Sequence, residues 1–403
     1  MSDRHTNHIK SRKKMKRIFL LPAIALALFM TSCSDIDDDE QETTDVPTMT
    51  GVITIDKQYG TPNPDFTAKD MLDNGFAYGD LVRVQIGDNI NVVAPFVTAY
   101  TQAGIMGVSC CDYGAKGGTV DLGLANGNFS ERVGGKDGDK IVISMEEKAG
   151  YLHEYNLLQG SYTNIRSDYE SDEQFANFRM VTTTGMGAQK LYRGSNPLNA
   201  SKNPVHYLYM DNFAREVGIN TEIDLADDDA MIQEQLTSAG YEATYCPALY
   251  NAGKTIGLKM GADTFSDDFK TRLARGLRFM IANEPPYLIH CNEGKDRCGF
   301  VTLLLEALMG ATAEEIENDY MVTFENYYKY PHGSETWELN KKLNVDRMLR
   351  LMMYPTLLED ITNVNWDLLM DTSPTMLYKK TIEFLQSAGI TDDEIEALKE
   401  KLQ

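Results

Sequence analysis

The stretch His290-Cys291-Asn292-Glu293-Gly294-Lys295-Asp296-Arg297-Cys298-Gly299 sets an arginine six residues after a cysteine, between two apolar runs of different length. Upstream, Pro285-Pro286 stops a helical stretch and Tyr287-Leu288-Ile289 reads as a short buried strand. Downstream, the run from Phe300 to Met309 reads as a mostly buried helix. The order strand, loop, helix lets the backbone N–H groups of residues 292 to 297 converge at a helix N-terminus, where unpaired donors and the dipole favour an oxyanion. The same field favours a nucleophilic thiolate at Cys291. Arg297 offers a planar fork for two phosphoryl oxygens. Gly294 is expected to let the loop turn without a side chain in the way of the anion. The predicted phosphate cradle is therefore Asn292, Glu293, Gly294, Lys295, Asp296 and Arg297.

Working outward, the run from Phe265 to Ala282 reads as an amphipathic helix ahead of the loop strand. Strands alternating with helices predict an α/β part with a central parallel sheet flanked by helices, over residues 161–403. Residues 51–160 read differently. Runs such as Leu81-Val82-Arg83-Val84-Gln85-Ile86 and Lys140-Ile141-Val142-Ile143-Ser144-Met145, separated by turn signals at Asn126-Gly127 and Gly134-Gly135, predict a small all-β sandwich or barrel. Its aromatics Tyr78, Phe96, Tyr100 and Tyr113 read as core rather than as a binding face. Its expected role is structural cover, with recognition of a substrate or partner as the alternative.

The loop resembles the signature of the tyrosine-phosphatase superfamily, in the His-Cys-x-x-Gly-Lys-Asp-Arg-x-Gly form of a bacterial family of tyrosine and phosphoinositide phosphatases. Further stretches share the likeness: Asn177-Phe178-Arg179, Leu191-Tyr192-Arg193-Gly194-Ser195 and Gly218-Ile219-Asn220-Thr221-Glu222-Ile223-Asp224-Leu225 upstream, and Gly310 to Ile316, Asp319-Tyr320 and Ala388 to Ile395 downstream. Thr312 with Glu315 and Thr391 with Glu394 also read simply as capping boxes. The resemblance implies a cysteine-phosphatase fold and hydrolysis of phosphomonoesters through a phosphocysteine at Cys291, with no cofactor and no metal. It implicates Asp296 as general acid; Asp224, at the C-terminal end of a predicted parallel strand, is the second candidate. Three positions depart from the pattern. Cys298 stands where a hydroxyl residue is usual, Glu293 puts a carboxylate in an anion site, and Met180-Val181-Thr182 replaces a diglycine. Lys295 has two readings, a contact to a second phosphate of an inositol headgroup or neutralisation of Glu293 or Asp296.

At the N-terminus, seven basic residues up to Arg17 precede an apolar run from Ile18 to Met30 and then Thr31-Ser32-Cys33. This has the form of an export signal over residues 1–32, with Cys33 as the lipidated first residue after cleavage. The acidic stretch Ser34-Asp35-Ile36-Asp37-Asp38-Asp39-Glu40, within a linker at 33–50, resembles the tether of Bacteroidetes-type surface lipoproteins. The expectation is a chain anchored by lipid to the outer membrane, at the cell surface or on the periplasmic face. A net charge of −22 argues against nucleic acid as a partner.

Other chemistries are weaker. Gly253-Lys254-Thr255 imitates the end of a nucleotide-binding loop without its first glycine or a clear preceding strand. Six scattered histidines lack metal-ligand spacing. A rhodanese-type sulfur transferase would have a shorter loop. Cys246 reads as a core thiol, and Cys298 as a buried thiol or a redox partner of Cys291. The expected substrates are phosphotyrosine protein or phosphoinositide, the alternatives being a soluble inositol phosphate or a phosphate-binding lipoprotein without turnover.

Overall fold

Alternation along Leu81–Ile86 sends Val82, Val84 and Ile86 to one face, and all three are buried in an apolar core with Ile141 and Ile143. The computed structural model describes residues 46–57, 60–99, 106–110, 118–125, 127–261, 263–355 and 370–403. The predicted leader, Cys33, most of the acidic linker, Tyr100, Tyr113 and Asn126 lie outside the described residues. Residues 46–403 form one unit.

Its first sheet holds β1 (Thr48–Ile55), β2 (Pro62–Pro64), β3 (Leu81–Ile86), β4 (Ile90–Val97), β5 (Met106–Cys110), β6 (Val120–Leu124) and β7 (Lys140–Glu147). Among the described residues the order is β2-β1-β7-β3-β4-β5-β6, antiparallel except for β4 beside β5. The two ends of the sheet curl toward each other: Asn63 Nδ2 donates to the Val120 carbonyl at 3.1 Å and the Ala68 N–H to the Gly118 carbonyl at 2.8 Å. The predicted β part is thus one nearly closed, barrel-like sheet rather than two stacked ones. Residues 48–50, predicted as linker, already belong to β1. Phe96 is fully buried and Tyr78 packs on it with ring centroids 4.7 Å apart, in keeping with the core reading of both.

The second sheet holds β8 (Arg179–Met180), β9 (Leu191–Gly194), β10 (Thr221–Asp224), β11 (Thr255–Gly257) and β12 (Tyr287–His290) in the order β11-β10-β12-β9-β8. β9, β12, β10 and β11 run parallel; β8 adds an antiparallel edge that sequence reading did not foresee. Both faces are covered. Tyr287 and Ile289 of β12 enter one apolar cluster with Phe300 and Leu277, and Leu288 enters another with Met210 and Cys246. The helix Asp267–Ala282 begins where Ser266 Oγ accepts the Phe269 N–H at 3.2 Å, and buries Phe269, Leu273, Leu277 and Met280. The helix Asp296–Met309 is apolar on nearly all sides because the sheet and the helices Ala313–Tyr327 and Pro374–Ser387 enclose it. Both predicted capping boxes are formed.

The two sheets belong to one packed body. Phe265 touches the apolar clusters of both, and Leu351 sits in the core of the β part. After a π-helical turn at Lys342–Asp346, buried Arg347 donates from Nη1 to the Ala125 carbonyl at 2.9 Å and from Nε to Leu343 at 3.0 Å.

Candidate active site

β12 delivers Cys291 to the C-terminal edge of the parallel sheet, the edge at which ligands collect in such sheets. Beyond it the loop carbonyls are engaged from outside. Asn292 O accepts from Asn203 Nδ2 at 2.7 Å and the Asn196 N–H at 3.1 Å, Glu293 O from Asn177 Nδ2 at 2.8 Å, and Gly294 O from Arg193 Nη2 at 2.9 Å. The N–H groups of residues 292–297 donate to no described residue. A chain whose carbonyls point out and whose amides are left unpaired at a helix start is a cradle for a tetrahedral anion. Arg297 lies beside it, with Nη1 held by the carbonyls of Leu225 at 3.3 Å and Met260 at 3.2 Å and the rest of its fork available.

Gly294 has φ +74°, as a loop reversal requires, but the reason for glycine differs from the expectation. A Cβ there would collide with the Gly194 carbonyl at the end of β9, not with the anion. The loop is seated on the neighbouring strand.

Beneath the loop is a buried ion network that sequence reading quoted as motifs without assigning it work. Asp319 receives Arg179 Nε at 3.0 Å and Arg193 Nη1, while Arg179 Nη1 donates to Asn177 Oδ1 at 3.1 Å. Burial opposes charge on Asp319, yet the two guanidiniums hold its carboxyl below the usual range. Arg193 is wholly buried and braces Gly294 directly. The signal was present as Asn-x-Arg, Tyr-Arg-Gly and Asp-Tyr, but their convergence spans residues 177 to 320.

Asp224, the second general-acid candidate, lies beneath the start of the loop. It is fully buried, its Oδ1 accepts the Ala226 N–H at 2.7 Å and the Asp227 N–H at 3.0 Å, and it faces inward at His290, Nδ1 lying 3.8 Å away. His290 Nε2 meets Glu222 Oε1 at 3.1 Å, and Glu222 in turn accepts from Thr255 Oγ1 at 2.7 Å. Asp224 Oδ2 and His290 Nδ1 have no hydrogen-bond partner among the described residues. Burial pushes the Asp224 carboxyl up to about 7, with His290 working against the rise. Burial opposes charge on His290, but Asp224 and Glu222 outweigh it and raise its pKa. The enclosed carboxyl thus sits against the residue that precedes Cys291.

Asp296 opens outward, with its side chain 55% exposed and Oδ1 accepting from Tyr320 Oη at 3.2 Å. Gly299 makes room for that tyrosine, since a Cβ there would strike its ring. Lys295 takes the neutralising reading: Nζ lies 3.4 Å from Glu293, 3.8 Å from Asp296 and 3.1 Å from Tyr328 Oη. Cys298 is free, fully buried, and its thiol contacts the Ile289 carbonyl at 3.3 Å; burial pushes that thiol up. Cys246 is likewise a buried free thiol. Lys254 reaches Asn283 at 3.0 Å, so the Gly-Lys-Thr imitation has a structural use. Among the described residues no group of His, Cys, Asp and Glu has the arrangement of a metal site, and no helix is long and apolar enough to cross a membrane.

Residues 173–403, more than half of the chain, match the model of a tyrosine phosphatase family. No curated protein matches. Among solved structures, an uncharacterized conserved protein from Thermotoga maritima is similar at 21% identity over 24% of this chain and 36% of that one, with a TM-score of 0.22.

Proposed function

Because the chain belongs to the tyrosine phosphatase family, we propose that it hydrolyses phosphomonoesters through a phosphocysteine at Cys291. One observation carries the reading: in the stretch that follows Cys291 and ends at Arg297, the carbonyls of residues 292–294 are bound from outside while the amides of 292–297 donate to no described residue. In this scheme the Cys291 thiolate attacks phosphorus and the P–O ester bond breaks. The leaving oxygen takes a proton from Asp296, the exposed carboxyl of the loop. Amides and Arg297 stabilise the charge on the equatorial oxygens. Water then attacks the phosphocysteine, giving its proton to Asp296, and the P–S bond breaks to return the thiolate. The substrate is a phosphotyrosine protein or a phosphoinositide. The cysteine-phosphatase fold, the division at residue 160 and the lipid anchor at Cys33 belong to the same proposal.

Cys298 favours a slow second step. Its thiol faces the Ile289 carbonyl, where the family's usual hydroxyl would assist the departing sulfur. The test is hydrolysis of p-nitrophenyl phosphate, a phosphotyrosine peptide and a phosphoinositide by the full chain under reducing conditions, beside Cys291→Ser. Turnover that persists in the serine variant would sink the mechanism. Binding of phosphate without any turnover would instead identify a phosphate-binding protein. The anchor is tested separately, by incorporation of labelled palmitate that Cys33→Ala should abolish.

A further inference from the structure

We infer that Glu293 selects against substrates bearing a second phosphoryl group, so that the site takes singly phosphorylated aryl esters and disfavours multiply phosphorylated headgroups. The inference rests on the phosphatase reading and narrows its substrate class. Lys295 is the cation that could greet a second phosphate, and it is already engaged. Besides Glu293, Asp296 and Tyr328 Oη, its Nζ lies over the rings of Tyr328 and Phe324, 5.1 and 5.7 Å from their centroids, and its side chain is only 19% exposed. With Asp296 protonated to act as the acid, Glu293 alone balances the ammonium, and this side of the loop has no spare positive charge to offer a second phosphate.

Glu293 is fixed as well as charged. Tyr328 Oη donates to its Oε2 at 2.8 Å, which tethers the carboxylate on this side of the loop. A second phosphoryl group on this side therefore meets a tethered carboxylate and an ammonium already engaged by it, in place of a free cation, a difference of about tenfold in affinity at an effective dielectric near 20.

The same wall is suited to an aromatic ring. Half-buried Tyr162 stacks on Tyr327 at 4.6 Å and meets Tyr328 edge-on at 6.2 Å, and Tyr328 stacks on Tyr330 at 5.8 Å. Such faces accept a further ring in offset or edge contact. Tyr162 precedes the matched segment 173–403, so the connector from the β part supplies a specificity-determining residue. Burial pushes its phenol up to about 12, with Glu293, Lys295 and Cys291 among the charges that act on it, which agrees with a position at the loop.

The experiment has a kinetic arm and a binding arm. In the first, kcat/KM is measured for p-nitrophenyl phosphate and inositol 1,4-bisphosphate with wild type, Glu293→Gln, Tyr328→Phe, Tyr162→Ala and Tyr162→Phe. The wild type should prefer the aryl ester. Glu293→Gln should move the ratio toward the bisphosphate at least about tenfold, and Tyr328→Phe should move it the same way by less. Tyr162→Ala should raise KM for the aryl ester several-fold, and Tyr162→Phe should restore it. In the second arm, phenyl phosphate and inositol 1,4-bisphosphate are titrated calorimetrically into Cys291→Ser and its Glu293→Gln double variant, which reads the preference without turnover. A ratio unchanged within twofold on Glu293→Gln in both arms, or a wild type that prefers the bisphosphate, overturns the inference and leaves the phosphatase reading standing. Hydrolysis independent of Cys291 overturns that reading, while the binding arm still decides this one.

Discussion

The barrel-like sheet and the parallel sheet are both packed around apolar side chains, yet they treat charge in opposite ways. The core of the first is Val, Ile, Leu, Phe and Met; its buried carboxylate Asp80 is met at the rim by Lys148 and by the Ala77 and Ala149 N–H groups. The second buries Arg193, Glu222, Asp224, His290 and Glu306 and encloses the Arg179–Asp319 pair. Buried charge costs several kcal/mol per ion unless it is matched, and it is commonly no better for stability than apolar packing. A fold seeking only stability has no reason to accumulate it. Here Arg193 and, through Asn177, Arg179 brace the carbonyls of one loop, with Asp319 between the two guanidiniums, and the difference between the two sheets separates what gives shape from what holds that loop.

The most severe way to break the contrast is Cys291→Ser, which should lower turnover on the order of 10⁴-fold or more while leaving the melting temperature within a few degrees. Next come two substitutions of similar energetic size, Asp319→Ala and Phe96→Ala. Each should cost about 3–5 kcal/mol in urea denaturation, the first by stranding two buried guanidiniums and the second by opening a cavity. Only the first should also lower kcat per folded molecule, because only it loosens the loop. Equal loss of kcat in both would dissolve the distinction.

A fourth substitution sharpens the comparison through pH. Folding raises the Asp224 carboxyl from 3.8 to about 7, so the folded form binds a proton more tightly than the unfolded chain. Its contribution is fully present below about pH 4 and is lost as pH rises toward 7, a decline of up to about 4 kcal/mol. Asp224→Asn should flatten the fall of stability over that window. The smallest effect belongs to Thr391→Ala, which removes a surface cap far from the loop and should cost about 1 kcal/mol with activity unchanged.

Much of this was legible in the chain. The strand, loop and helix around Cys291 followed from Pro285-Pro286, a three-residue apolar run and a ten-residue one, and all three elements stand where the pattern put them. The β part was legible from alternation, but its closure was not: the contact of Asn63 with Val120 joins the first and last regions of one sheet, and alternation carries no information about which strands meet. Nor could periodicity show that Asp224 turns toward His290 instead of the cleft, since register across β10 and β12 decides it. Tyr162 escaped notice because it lies in an irregular connector, and its neighbours Tyr327 and Tyr328 are more than 160 residues away.

The bond from Arg347 to the Ala125 carbonyl joins residues 222 positions apart. During synthesis the barrel strands emerge first, and more than two hundred further residues must follow before Arg347 and Leu351 can be laid against them. Throughout that interval the barrel lacks the Leu351 side chain from its core. Long-range closure of this kind slows folding and leaves incomplete intermediates prone to wrong association. The nascent barrel is therefore the stage at which a chaperone has most to protect, and a chain released before residue 347 would present that unsealed surface permanently.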